Sequence, residues 1–291
     1  LRVRPCLYRY SKNSQPLSLD EVEAIRNECP DMELEVFVHG ALCIAYSGRC
    51  YLSGYFNRRD PNQGTCTNAC RWGYHTHQAE ADSSTGEAVP VPGGCGDLGT
   101  SFIMNSKDLR AVEHVARLVV MGIDSLKVEG RTKSRYYVAR TAQVYRRAID
   151  DAVAGRPFNP ALLTDLDALA NRGYAAGLLE PLPSQHIQNY ASGYPASQRG
   201  QFVAEVLGSQ GHAELGLDSG WVQVETKNRF AVGDALEVLH PVGNTTLRLA
   251  QMRDARGQPV DVAQGSPVRV WIPLPAGYAG GMLVRLFEGA A

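Results

Sequence analysis

Hydrophobic positions recur at helical spacing in three stretches between residues 18 and 154, and in short strand-like runs beyond about residue 200. Ser18 stands three residues before Glu21, and Val22, Ile25 and Arg26 follow at helical spacing. A Ser hydroxyl and a Glu carboxylate so placed satisfy each other's orphan backbone donors, which predicts a short helix ending near Cys29. Pro30 and Asp31 break it, and Glu33 to Val38 reads as a strand that meets a turn at Gly40. Residues 73–99 are polar, rich in Gly and Pro and without a sustained period, so they read as a loop. Ser101 to Asn105 predicts the next strand. Lys107 to Met121 predicts a helix with Leu109, Val112, Ala116 and Val119 on one face and Gly122 placed to end it. Ile123 to Val128 predicts another strand, and Thr132 to Ala154 a longer helix closed by Gly155 and Pro157. Strand, helix, strand, helix in this order predicts parallel βαβ units.

After about Gly200 the texture changes. Phe202 to Leu207, Trp221 to Val224, Ala235 to Leu239, Val268 to Ile272 and Met282 to Phe287 are short β-rich runs split by Gly, Pro, Asn and Asp. This spacing predicts a small antiparallel barrel or sandwich. The expected organisation is an atypical N-terminal segment over 1–17, an α/β domain over 18–155, a helical and irregular connection over 156–200, and a β-domain over 201–291.

A chain of 291 residues with 44% hydrophobic content is long enough for a sizeable core and for two domains. Its net charge of -1 announces neither a nucleic-acid nor a membrane partner at the level of the whole chain. No apolar run approaches the roughly 18 residues of a membrane span, so a cytoplasmic protein without a membrane partner is expected.

Four of the seven cysteines fall in one window: Cys43, Cys50, Cys66 and Cys70. Without a secretory signal, clustered cysteines are read first as metal ligands or redox groups, and inert buried thiols are the plain alternative. Zinc lacks its usual paired C-x2-C knuckles here, while thiolate-only iron-sulfur sites tolerate varied intervals, so spacing alone leaves all three open. Between Lys127 and Arg147 seven Lys or Arg stand against the single carboxylate Glu129, with Tyr136, Tyr137 and Tyr145 interleaved. Such a face can neutralise phosphates and stack on unpaired bases. The commoner outcome is a solvated helix face whose tyrosines pack inward.

Glu35, Phe37, Gly40 and Cys43, followed by Gly48, Cys50, Leu52 and Ser53, resemble the signature of the U32 peptidase-like family. The run from Arg59 to Trp72, holding Cys66 and Cys70, is similar to the family's prephenate-dependent tRNA uridine-34 hydroxylase branch. Asn105 to Leu109, Ser125 to Ser134, Ala139 to Tyr145 and Lys227 to Asp234 carry the match onward. The resemblance implies an α/β fold: the C-terminal part of a TIM-like (β/α) barrel, then a small antiparallel β-barrel. It also implies a [4Fe-4S] cluster on Cys43, Cys50, Cys66 and Cys70, and oxygen-independent 5-hydroxylation of uridine-34 with prephenate as co-substrate. The anticodon region of tRNA would be the macromolecular partner, and a protein partner that supplies missing barrel strands is left open. A complete barrel needs about 200 residues or more. Three strands are legible before the connection, so the chain reads as the C-terminal portion of a longer protein.

On this resemblance His39, Glu129 and Arg131 are the candidate catalytic residues, with His39 as a proton carrier beside the cluster. Lys127, Arg131, Lys133 and Arg135 are candidates for substrate binding, because a dicarboxylate is best met by paired, planar or clustered cationic donors. Two other functions compete: a collagenase-like peptidase, and a non-catalytic iron-sulfur or RNA-binding accessory protein. No G-x-S-x-G or H-E-x-x-H motif supports the peptidase.

Overall fold

The computed structural model describes residues 17–44, 50–75, 79–81, 88–90, 100–130, 133–180, 184–195, 199–265, 267–275 and 277–287. The chain divides into two compact units that alternate along the sequence, and one of the boundaries, between Arg147 and Ala148, falls inside a long helix.

The first unit opens with helix α1 (Leu19–Glu28), capped as its sequence dictates: the Ser18 Oγ accepts from the Glu21 N–H at 3.3 Å and the Glu21 carboxylate accepts from the Ser18 N–H at 2.7 Å. Its sheet contains β1 (Glu35–Ala41), β2 (Asp108–Arg110), β3 (Ser125–Val128) and β4 (Tyr174–Ala175) in the order β3-β1-β2-β4. β1 runs parallel to β3 and antiparallel to β2, and β4 runs parallel to β2. Val38, Leu109, Ala111, Val112, Val115 and Leu118 build the core beneath it. Helix α2 (Leu52–Asn57) lies in the cysteine-bearing segment, and helix α3 (Val115–Val120) precedes β3.

Four expectations are corrected. Gly40 is a strand residue paired with Leu109, and β1 continues through it to Ala41. The strand expected over Ser101 to Asn105 is confined to Thr100–Ser101, which pairs with Tyr74–His75, and the residues expected to open a helix at Lys107 form β2 instead. Sheet pairing with His39 to Ala41 overrides the helical periodicity of that stretch. Because β2 opposes β1, and β3 follows β1, the β2-α3-β3 passage is not a parallel βαβ unit. Gly122 does end the helix before β3, at φ 73°.

The long helix α4 (Arg135–Val153) follows, and Gly155 at φ 67° terminates it as expected. Its part up to Arg147 belongs to the second unit, with helix α5 (Ala161–Asp167) and six strands: β5 (Gly200–His212), β6 (Leu217–Thr226), β7 (Ala235–Leu239), β8 (Thr245–Arg248), β9 (Arg269–Pro273) and β10 (Met282–Leu286). All neighbours are antiparallel in the order β8-β7-β10-β5-β6-β9. The sheet curls into a half-barrel whose end strands, β8 and β9, do not pair with each other. Val203, Val224, Phe230, Leu236, Val238, Leu249, Ile272 and Leu283 fill it. The all-antiparallel character expected of the last third is present, in an open sheet. Among the described residues no helix is long and apolar enough to cross a membrane.

Candidate functional site

The C-terminal ends of the parallel strands β1 and β3 lie side by side. Val128 pairs with His39, and the Glu129 N–H donates to the His39 carbonyl at 2.9 Å. Gly40 makes this approach possible: with φ at 136°, a Cβ on it would stand 2.9 Å from both the Cβ and the carbonyl oxygen of Glu129. Lys127 is half-buried in register with Phe37, its ammonium 5.9 Å from that ring. His39, Lys127 and Glu129 therefore share one rim. Arg131 lies outside the described residues.

His39 is fully buried, with its ring 5.6 Å from the ring of Tyr174, over which the Arg110 guanidinium sits at 4.9 Å. Direct proton exchange between His39 and bulk solvent is closed off in this arrangement. Nearby, Asp108 and Arg172, both fully buried, form an ion pair, and among the described residues Arg172 Nε and Nη1 meet no hydrogen-bond partner. The polypeptide from Ile187 to Ser192 folds over this region. Lys107 N–H donates to the Ile187 carbonyl at 2.8 Å, Asn105 Nδ2 to the Ser192 carbonyl at 2.6 Å, and Asn189 Nδ2 to the Arg172 carbonyl at 2.7 Å. The residues of the Asn105 to Leu109 motif thus pin a segment that local sequence patterns left as irregular connection.

Two residues beyond β1 comes Cys43, and α2 then separates Cys50 from the Cys66 and Cys70 loop. Ser53, buried on α2, organises that loop: its Oγ accepts from the Thr67 N–H and from Thr67 Oγ1, both at 3.2 Å, and donates to Cys66 Sγ at 3.8 Å. Asn68, in the left-handed region at φ 55°, turns its N–H onto Cys66 Sγ at 3.3 Å. A buried Ala69 and a single 3-10 turn then set Cys70 and Arg71. Cys43 keeps solvent access, yet its thiol is held above the ordinary range, first by desolvation and then by Cys70, Cys66 and Cys50, with Arg71 opposing. Desolvation raises Cys70 too; the Arg71 charge and hydrogen bond oppose it, and Cys66 and Cys50 add to it. Cys43 thus feels the field of the other three cysteines, and Cys70 that of Cys66 and Cys50. Among the described residues no three His, Cys, Asp or Glu side chains already stand in metal-holding geometry. The quartet shares a neighbourhood rather than a preformed ligand shell.

Lys133 and Arg135 belong to the second unit. Lys133 is half-buried over the Tyr137 ring at 4.9 Å, and exposed Arg135 faces Glu205 at 3.6 Å. Of the rest of the basic run on α4, Arg146 and Arg147 are exposed and Arg140 is internal. Arg140 is buried against Glu237 and Asp165, and Tyr136, Tyr137 and Tyr145 are buried, with Tyr136 stacked on Phe202 at 5.9 Å. The tyrosines of this helix pack into the core and are not available to bases.

A mixed α/β unit that gathers four cysteines at the end of a parallel strand pair, joined to an antiparallel β-unit, defines the class. The profile of Peptidase family U32 matches residues 14–189, that of the Peptidase family U32 C-terminal domain matches residues 198–285, and the chain belongs to this family. It is 47% identical over 95% of its length to tRNA hydroxylation protein P of Escherichia coli K12 and 44% identical over 90% of its length to the protein of that name from Haemophilus influenzae. The chain spans 67% and 64% of those relatives' own lengths. Among solved structures, the C-terminal domain of a Geobacillus thermoleovorans putative U32 peptidase matches 29% of this chain and 98% of its own, at 23% identity and a TM-score of 0.25.

Proposed function

We propose that this chain carries the thiol-bearing part of an iron-sulfur enzyme that 5-hydroxylates uridine-34 of tRNA with prephenate as hydroxyl donor. The observation that carries this is the 47% identity, sustained over 95% of the chain, to a protein named for tRNA hydroxylation. On this reading the first unit contributes to a TIM-like barrel, the β-unit is a small barrel that follows it, and the cytoplasm is the compartment.

The donor set fits a thiolate-bound cluster. Desolvation first and neighbouring cysteines second disfavour the thiolate forms of Cys43 and Cys70, a cost that a bound cationic centre would compensate. The Asn68 N–H and the Ser53 hydroxyl already face Cys66 Sγ, as groups that tune cluster sulfurs do. Cys43, Cys50, Cys66 and Cys70 would hold a [4Fe-4S] cluster, which when bound supplies one-electron redox chemistry. Lys127 and Arg131 are assigned to the carboxylates of prephenate, with Glu129 and His39 orienting that rim. Lys133 and Arg135 are assigned to the phosphates of the tRNA.

Nucleoside mass spectrometry tests the proposal. A strain lacking the full-length protein should lose 5-hydroxyuridine-derived nucleosides, and wild type but not Cys66→Ser should restore them. An unchanged nucleoside profile in the deletion strain refutes it. Restoration by Cys66→Ser would leave an accessory role. Gelatin cleavage by purified protein that survives Cys43→Ser would return the peptidase reading.

A further inference from the structure

Beside the thiol quartet the surface is aromatic and cationic, a combination with no structural need. Tyr51, the N-cap residue of α2, is 82% exposed and Tyr55, within the helix, 83%, although the turn between them is closed by the Tyr55 N–H donating to the Tyr51 carbonyl at 2.8 Å. At spacing i and i+4 they share a helix face. Phe56 follows, its ring 5.2 Å from Tyr55 and 5.4 Å from Trp72, which is itself 43% exposed. Tyr74 backs the group 6.4 Å from Phe56, its hydroxyl fixed on the Ala69 carbonyl at 2.8 Å. Through Phe56, Trp72 and Tyr74 the aromatic group is continuous with the loop that carries Cys66 and Cys70. Arg58 and Arg59, both exposed, close α2, and between Cys50 and His75 three arginines stand against the single carboxylate Asp60.

We propose that Tyr51, Tyr55, Phe56 and Trp72, with Arg58 and Arg59, form a stacking platform for unpaired bases of an RNA loop, delivering one of them toward the thiol quartet. This rests on the functional reading above and adds the surface that would present the substrate. Exposed rings offer π-faces to successive bases, and flanking guanidinium groups neutralise the phosphates between them. The platform also supplies what the expected basic helix does not, since the tyrosines of that helix are buried.

The full chain is titrated with a fluorescein-labelled anticodon stem-loop RNA and with a blunt duplex of equal charge, following anisotropy and tryptophan emission. Wild type should prefer the stem-loop. Binding should quench Trp72, because Trp221 and Trp271 are buried in the other unit. Trp72→Phe should abolish the quench while binding persists. Tyr51→Ala with Tyr55→Ala should weaken stem-loop binding by about tenfold for each stack lost, leaving the salt slope unchanged. Arg58→Gln with Arg59→Gln should flatten the log-log salt slope by about 1.4. Val120→Ala, on an exposed position of α3, should change neither.

Equal affinity of the tyrosine double variant and wild type, with unchanged circular dichroism, overturns the platform. So does equal binding of duplex and stem-loop, or a change in oligomeric state in place of a change in RNA affinity. A wild-type chain that binds no stem-loop while the full-length protein restores tRNA modification overturns the platform and leaves the functional reading standing. An unaltered nucleoside profile in the deletion strain removes the functional reading whatever the binding data show.

Discussion

Gly40→Ala tests whether the rim is set by close backbone approach. Two costs fall on the same atom. At φ 136° an L-residue occupies a region reserved for glycine, which costs of order 1–3 kcal/mol. The added Cβ also meets Glu129 Cβ and the Glu129 carbonyl oxygen at 2.9 Å each, and neither is the loose end of a flexible side chain. Overpacking of that kind costs roughly a further 1–3 kcal/mol. The sum, about 2–6 kcal/mol, is a large part of the 5–15 kcal/mol (roughly) that holds a domain together. Gly122→Ala is the control: φ there is 73°, yet nothing lies within 4 Å of the added methyl, so only the backbone cost of about 1–2 kcal/mol applies. Hydrogen exchange read by mass spectrometry on peptides spanning β1 and β3 measures both, since two of the three tryptophans report on the other unit. Gly40→Ala should open these strands by at least about 1–3 kcal/mol more than Gly122→Ala does. The Glu129 amide, bonded to the His39 carbonyl, should lose protection first. Equal or smaller destabilisation at Gly40 would refute close approach as the reason for the glycine.

Three further outcomes follow from the same structure. Ser53→Ala removes the acceptor for two Thr67 donors at a part-buried site and should cost about 1–3 kcal/mol while loosening the loop, so that the already exposed Cys66 is labelled faster by a thiol reagent; an unchanged labelling rate would show that Ser53 does not hold the loop. Arg172→Leu takes the guanidinium from the fully buried Asp108 carboxylate and should cost about 3–5 kcal/mol in urea denaturation, part of it recovered in a double variant with Asp108→Asn; a loss under about 1 kcal/mol would refute the pairing. Asp124 is held below the ordinary carboxylate range: desolvation raises it, but the Leu34 N–H and the Arg26 guanidinium, at 2.8 and 2.5 Å, outweigh that. Its contribution is therefore present above the unfolded value of about 3.9 and lost as pH falls through the lower folded value. With the side chain 46% exposed, Asp124→Asn should cost no more than about 1 kcal/mol at neutral pH, and the gap to wild type should close in acid; a gap that widens below about pH 4 would contradict the sign.

What was legible in the sequence is what short-range chemistry decides. The Ser18 and Glu21 box, the terminating glycines at 122 and 155, and the strand runs beyond Gly200 each rest on residues within a turn or two of one another. The cysteine quartet was legible as a set, because four like residues in one window need no partner from elsewhere to be noticed. What holds the quartet was not. Ser53 and Asn68 act through contacts that a spacing rule does not encode, and Gly193 reaches the carbonyl of Arg71 and, at 2.7 Å from the Cβ it lacks, the ring of Phe102. β2 was misread as the start of a helix for the same reason, since its pairing partners lie about 70 residues away in either direction and local periodicity cannot register them.

The two arginine- and tyrosine-rich stretches draw the distinction most sharply. From Lys127 to Arg147 the sequence has more positive charge and as many tyrosines, yet Arg140 finds Glu237 and Asp165, and Tyr136 finds Phe202, so its central charge and its rings are consumed internally. The α2 segment has fewer cations, but Tyr51 and Tyr55 face solvent and Arg58 and Arg59 are exposed at its end. The difference is present in the pattern itself. Tyr137, Val144 and Tyr145 of α4 recur with the period of a buried helix face. The rings on α2 crowd into Tyr51, Tyr55 and Phe56, a helix of six residues too short to bury an apolar stripe of its own. Aromatic residues that outnumber the core positions available to them must either find a partner or remain in water at a cost. Together with exposed arginines, that excess points to a stacking partner more directly than the density of charge along the chain.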